Sequence, residues 1–369
     1  MRIAYGITLL LATSGVLYNS FSLAALLAFA FIAISSAPLL LFSFGLGDTS
    51  APKHGAAEQS SLPLPMVFLC LSILNVLVLI DRHGFRLADV LSSEGLVAIA
   101  REATLERYNL GSTQGNALLV SAAIANAFLW ARASVSKILA MFVALVPAGL
   151  YALVSTEKWP LYCATSFFVA GLLLSERKRG TYRHALIAAA CVVAIGVASL
   201  AVRQGVTEYD ATFDALATLL ALLGHYVFAQ YETFGRWLMG GFADCCSLGL
   251  YTFSGPVAFL DLAERIPGVF SEIETVRGLE TNIYTAWRYI VQDFSIFGPV
   301  VLISLFALTY RYCWVTGHYR ITRGLLTLLF ISTFLQINTT IFVHNSVALA
   351  ALFCAFVATL SMKRHNESP

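Results

Sequence analysis

The sequence predicts an all-α polytopic membrane protein with about ten transmembrane helices. Three observations lead there. Hydrophobic residues make up 58% of the 369-residue chain and charged residues only 12%, half of the roughly one quarter that soluble domains carry. Mean hydropathy is +0.77. The apolar residues fall in blocks of about 17–25, the length that carries a helix across roughly 30 Å of hydrocarbon. Inside lipid each segment must satisfy its own backbone donors and acceptors, so such blocks form helices, and the alternating strands of a membrane barrel are absent. The formal net charge of +2 supplies no basic face, which excludes a nucleic-acid partner.

In chain order the blocks predict spans at roughly 3–18, 22–46, 63–80, 114–131, 135–154, 159–175, 185–202, 294–312, 323–341 and 345–362. The first block resembles a signal sequence, but no small-x-small cleavage site precedes the next block at Phe21, so it reads as a retained span. The most basic short loop runs from Glu176 through Arg183; Arg132 to Lys137, Arg311 to Arg323 and Lys363-Arg364 are also basic. Counting spans outward puts all four on one side, which makes that side and both termini cytoplasmic. The chain thus divides into N-terminal membrane helices (1–202), a long outer loop (203–293) and C-terminal membrane helices with a short tail (294–369).

The outer side receives 81–113 and 203–293. The second segment, about ninety residues, is long enough to expect function there. It carries five Arg or Lys against eleven acids. Phe213, Leu216, Leu219, Leu220, Leu223 and Val227 recur at helical steps, which predicts amphipathic helices on or dipping into the outer surface. A true span at 212–229 is the alternative, disfavoured by Asp210, Asp214, His225 and Glu232 crowding it. Internal repeats are not evident. Of seven cysteines, five lie in or beside apolar blocks as small buried hydrophobes. Cys245 and Cys246 are adjacent in the long loop, without zinc-ligand spacing; pairing and reduced states both stay open.

No Walker A loop, G-x-G-x-x-G, H-E-x-x-H or G-x-S-x-G occurs, so no nucleotide cofactor is implied. Glu272-Ile273-Glu274 is an acid-x-acid pair of the kind that holds a divalent metal, and reads more simply as a solvated acidic face. Lys158, Arg203 and Arg288 stand at span ends on the outer side and together suggest an anionic ligand, for which Arg offers paired charge-assisted bonds. Snorkelling at the interface accounts for each one singly. The densest polar cluster is Glu280 to Pro299. Tyr284, Trp287 and Tyr289 offer faces for sugar rings, and Asn282, Gln292, Arg288 and Asp293 offer bonds to hydroxyls. An aromatic belt would explain the rings but not the polar residues.

Thr281-Asn282-Ile283-Tyr284-Thr285, Arg288, Asp293-Phe294 and Gly298 resemble the motif before a late span in O-antigen polymerases of the Wzy type, the oligosaccharide repeat-unit polymerases. Tyr251-Thr252-Phe253 with Gly255-Pro256 is similar to a stretch in the family's long loop, and Arg203-Gln204-Gly205 resembles its Arg-x-Gly opening. Ser155-Thr156-Glu157-Lys158 resembles the small-Thr-Gly-Arg turn but departs from it: Glu157 stands for Gly and Lys158 for Arg. The topology match covers most of the chain and the motif match about forty residues.

The resemblance implies a GT-C-like membrane glycosyltransferase of a bacterial inner membrane, with the long loop periplasmic. It would polymerise undecaprenyl-diphosphate-linked repeat units into O-antigen or a related polysaccharide, en bloc and without metal or cofactor. Donor and acceptor glycolipids would be its partners, with membrane lipid and a chain-length regulator and flippase of the same pathway. Arg288 and Arg203 would hold the departing diphosphate, with Lys158 a weaker third. The base is open among Asp293, His225 and Asp210, with His344 a further candidate. An O-antigen ligase uses the same donor. A flippase or transporter would place charges within the spans, whereas here they gather at loops and span ends.

Overall fold

A computed structural model of the chain describes residues 1–44, 63–82, 88, 92, 94–95, 98, 116–133, 136–155, 159–175, 181–204, 213–240, 246–264, 272–281, 284–337 and 339–360. The all-α class holds. Among the described residues there are thirteen helices and one two-stranded hairpin. They are α1 (Arg2–Tyr18), α2 (Leu23–Leu41), α3 (Pro63–Arg82), α4 (Asn116–Arg132), α5 (Lys137–Ser155), α6 (Trp159–Leu173), α7 (Thr181–Gln204), α8 (Phe213–Gly240), α9 (Ser254–Phe259), β1 (Glu274–Val276), β2 (Leu279–Thr281), α10 (Ala286–Phe294), α11 (Gly298–Val315), α12 (Tyr319–Leu335) and α13 (Asn345–Leu360).

Each apolar block is helical in its central part, and three ends differ from expectation. The block at 22–46 stops at Leu41, with a turn after it. The block at 294 is preceded by a separate helix, α10, cut from α11 at Ser295, whose φ of 62° is left-handed. The block at 323–341 stops at Leu335. There Gln336 turns sideways: its side chain donates to Thr8 Oγ1 (3.1 Å) and its carbonyl accepts from Ala286 N (3.0 Å). That stretch holds α10 instead of lengthening α12.

The chain forms two compact units. The first comprises Met1–Ala56, Gly224–Ala348 and Ala355–Pro369. Its core joins Ala12 of α1, Ala28 and Ile32 of α2, Tyr231, Phe234 and Leu238 of α8, and Trp287 and Val291 of α10. The turn between α1 and α2 is fixed from both sides. Asn19 donates through its side chain to Gly15 O (2.7 Å) and Phe228 O (3.0 Å), and Ser22 Oγ accepts from Ala25 N (3.1 Å) as the cap of α2. α8 crosses α2 so closely that a Cβ on Gly235 would stand 1.8 Å from Ala24 O.

The second unit comprises Ala57–Leu223 and Leu349–Cys354. α6 is apolar all round and buried nearly throughout, as a helix at the centre of a bundle must be. Ile124, Phe128, Leu161, Phe167 and Phe168 are fully buried there, and Trp130 Nε1 donates to Pro65 O (3.2 Å). Leu200 packs with Leu219 and Leu223. The expected stripe of α8 is therefore split, since Leu216 and Leu220 are exposed.

Among the described residues two helices, α2 and α11, are long and apolar enough to cross a membrane; six shorter apolar stretches of 10–17 residues accompany them. Outward faces are apolar too. Val301, Leu305, Leu308, Tyr312 and Val315 form an exposed stripe on α11, and Ile138, Phe142, Val146 and Leu150 one on α5.

Candidate functional site

α10 has nine residues, of which seven are buried, Arg288 and Asp293 among them. A short helix can be covered on so many sides only if its ends find partners, and both do. At its start Ala286 N is held by Gln336 O. At its end the carbonyls of Gln292 and Asp293 accept from Cys246 N (2.7 Å), Ser247 N (3.3 Å) and Leu248 N (3.3 Å), which satisfies acceptors the helix leaves open. The Asp293 carboxylate then takes Tyr251 N (3.1 Å) and Thr252 N (2.5 Å). Thr340 Oγ1 donates to Thr252 O (2.7 Å), and Gly255 N to Phe342 O (3.0 Å). A Cβ on Gly255 would meet Phe342 O at 2.7 Å, so this contact requires glycine. The stretch 251–256 and the cluster at 284–294 are thereby one structure.

Arg288 is 2% exposed. Its guanidinium lies over the Tyr284 ring (3.9 Å to the centroid) and the Trp237 ring (4.9 Å), and its Nη2 donates to Glu272 Oε2. Glu272 keeps about half of its side chain in solvent (54%). Burial raises the Tyr284 phenol above its ordinary pKa, and Arg288 opposes this only partly, so Tyr284 is a neutral hydroxyl. Burial likewise raises Tyr289. Beside this group Arg236 of α8 pairs with Glu232 (2.9 Å) and Glu274 (3.4 Å) and donates to Thr275 O (3.0 Å). Glu232 in turn accepts from Ser22 Oγ.

The expected site residues are distributed unevenly. Arg288 and Tyr284 meet. Tyr289 packs with Tyr284 and Val343, and Trp287 lies in the core against α1, α2 and α8; neither is an open sugar platform. Asp293 has both oxygens engaged by backbone donors. His225 lies elsewhere on α8, with Nδ1 3.4 Å from the Tyr18 hydroxyl; burial lowers its pKa. The His344 carbonyl starts α13 by accepting from Val347 N and Ala348 N, each at 3.0 Å. Lys158, Asp210 and Asn282 lie outside the described residues. Arg203 belongs to the last turn of α7, and its side chain is also outside them.

Arg236 and Trp237 were missed by the sequence reading. A signal existed, because Glu232 and Arg236 form an i, i+4 pair on a helix. The acid-x-acid pair was visible but is used differently: Glu272 meets Arg288 and Glu274 meets Arg236. Comparisons with protein-family models, characterised proteins and solved structures find no match.

Proposed function

We propose that this chain is a polytopic bacterial inner-membrane glycosyltransferase. It transfers a growing glycan en bloc from a polyprenyl diphosphate carrier to the terminal sugar of a second lipid-linked unit, as the resemblance to Wzy-type polymerases implies. In this reading the protein has ten spans, GT-C-like, with cytoplasmic termini and residues 203–293 on the outer side. The observation that carries the reading is Arg288: a guanidinium fixed between two aromatic rings and paired with a half-exposed carboxylate. The exposed apolar stripes on α5 and α11 support a lipid surround.

Breaking the bond between the anomeric carbon and the carrier oxygen leaves growing charge on the diphosphate. Arg288, already oriented by Tyr284 and Trp237, stabilises that charge without reorganising. The acceptor hydroxyl attacks the anomeric carbon and gives its proton to a base. With the Asp293 carboxylate engaged by backbone, His225, Asp210 and His344 are the other candidates for that role.

The test is lipopolysaccharide gel profiling of the source bacterium lacking the gene, complemented with wild type or Arg288→Lys. Deletion should leave core plus a single repeat unit, because ligation still works. Arg288→Lys should fail to restore long chains at normal protein level. Loss of even the single unit, with lipid-linked polymer accumulating, would reassign the protein as the ligase. Full-length polymer from Arg288→Lys would remove Arg288 from the chemistry.

A further inference from the structure

The arginine site is already occupied by the protein itself. Arg288 and Arg236 face Glu272, Glu274 and Glu232, so two cations stand against three anions and the cluster is net negative by one. In that state it repels an anion. Glu232 belongs to α8 and is also bound by Ser22. Glu272 and Glu274, by contrast, belong to the hairpin segment, and without them the balance reverses to one positive charge.

The hairpin is short and largely exposed. β1 and β2 pair antiparallel with Glu274 opposite Thr281 and Val276 opposite Leu279. A lone two-stranded hairpin is marginal in water. Val276 is buried, whereas Ile273, Thr275, Arg277, Gly278, Leu279 and Glu280 are exposed. What fastens it is mainly polar: the two glutamate pairs, the Arg236 bond to Thr275 O, and Arg277, which donates to Tyr18 O (2.6 Å) and lies over the Tyr18 ring. The Arg236–Glu274 pair, more than one-third exposed at both ends, is individually weak. In the other pair only Glu272 is half exposed while Arg288 is buried, so whatever displaces Glu272 must bring its own negative charge to that cation.

We propose that this hairpin is an anion-mimicking lid. Glu272 and Glu274 hold Arg288 and Arg236 until the phosphoryl groups of a diphosphate ligand replace them, and Arg236 is the second arginine of that seat. The inference rests on the reading of Arg288 as a diphosphate residue. Arg288 cannot itself swing away, being buried between two rings, so the exchange moves the carboxylates. A multiply charged diphosphate on two guanidinium forks makes more charge-assisted bonds than two separate carboxylates. The lid also keeps smaller anions out, since a monovalent ion cannot compensate for both pairs.

The experiment titrates purified full-length protein in nanodiscs with inorganic pyrophosphate by calorimetry. Wild type is compared with Glu272→Gln/Glu274→Gln, Glu280→Gln and Arg288→Lys. Hydrogen exchange of 272–281 is followed with and without pyrophosphate. An occupied site lowers affinity by the fraction that is open, so the double variant should bind about tenfold more tightly, with Glu280→Gln matching wild type. Pyrophosphate should also speed exchange across the wild-type hairpin. Equal affinity of double variant and wild type, with binding lost in Arg288→Lys, overturns the lid and leaves the arginine reading standing. An equal gain in Glu280→Gln also overturns it, because bulk charge would then explain the effect. If the double variant keeps native exchange outside the hairpin yet binds no pyrophosphate, lid and arginine reading fall together.

Discussion

Arg288 and Asp293 stand on the same nine-residue helix, and the fold gives them different surroundings. The sequence reading placed both in the chemistry, Arg288 to hold charge and Asp293 as one candidate base. The geometry separates them. A buried carboxylate whose two oxygens accept from Tyr251 N and Thr252 N anchors a loop, and protonation during a reaction would loosen that anchor. Asp293→Asn keeps one acceptor and turns an amide donor toward a backbone donor. The expected cost is about 1–3 kcal/mol, as for a buried donor left unpaired, read as a lower Tm in detergent. Activity should fall only in proportion to folded protein. Full stability with activity abolished would return Asp293 to the role of base. Arg288 was legible as a candidate from its polar neighbours, which an aromatic belt does not explain although it accounts for Tyr284. Arg236 was not, because a single helical ion pair looks like any solvated helix face.

At the scale of elements, what was legible follows from the strength of the pattern. Blocks of about twenty apolar residues leave only a helix, and every one is helical. The hairpin was invisible. Its strands are three residues each, too short to show a period of two. Its turn, Arg277-Gly278 with φ of 53° and 80°, has the double positive φ of the tight turn that suits twisted strands, but only the glycine advertises it. The crossing of α2 and α8 was equally hidden, because a glycine in a helix reads as a defect until its neighbour is known. Gly235→Ala tests it. The substitution should gain up to about 1 kcal/mol of helix propensity, yet its Cβ would fall 1.8 Å from Ala24 O, and backbone cannot step aside. A net loss of about 1–3 kcal/mol is expected, measured by thermal unfolding. Gly6→Ala in α1, where nothing lies within 4 Å, is the comparison and should not destabilise. Equal behaviour of the two would mean that α2 and α8 do not cross there.

For the whole molecule the decisive quantity is parity. In the proposed topology, seven spans before residue 203 bring an N-terminus in the cytoplasm to the outer side, and three after residue 293 bring the C-terminus back. If α8 crossed as well, every later segment would change sides, and the hairpin with Arg288 would face the cytoplasm. Length alone does not forbid this, since its 28 residues span about 42 Å. Charge argues against it, because Asp214, Glu232 and Arg236 would enter the crossing, and the basic loop 311–323 with the tail at Lys363-Arg364 would move outside, against the bias of Lys and Arg toward the cytoplasm. Two reporter fusions separate the cases. Alkaline phosphatase joined to a chain truncated after Gly278 should be active, and green fluorescent protein at the C-terminus should fluoresce. An inactive phosphatase with a dark C-terminus would make α8 a span. It would also put Arg288 on the side opposite to the one the proposed function requires, and that proposal would fall with the topology.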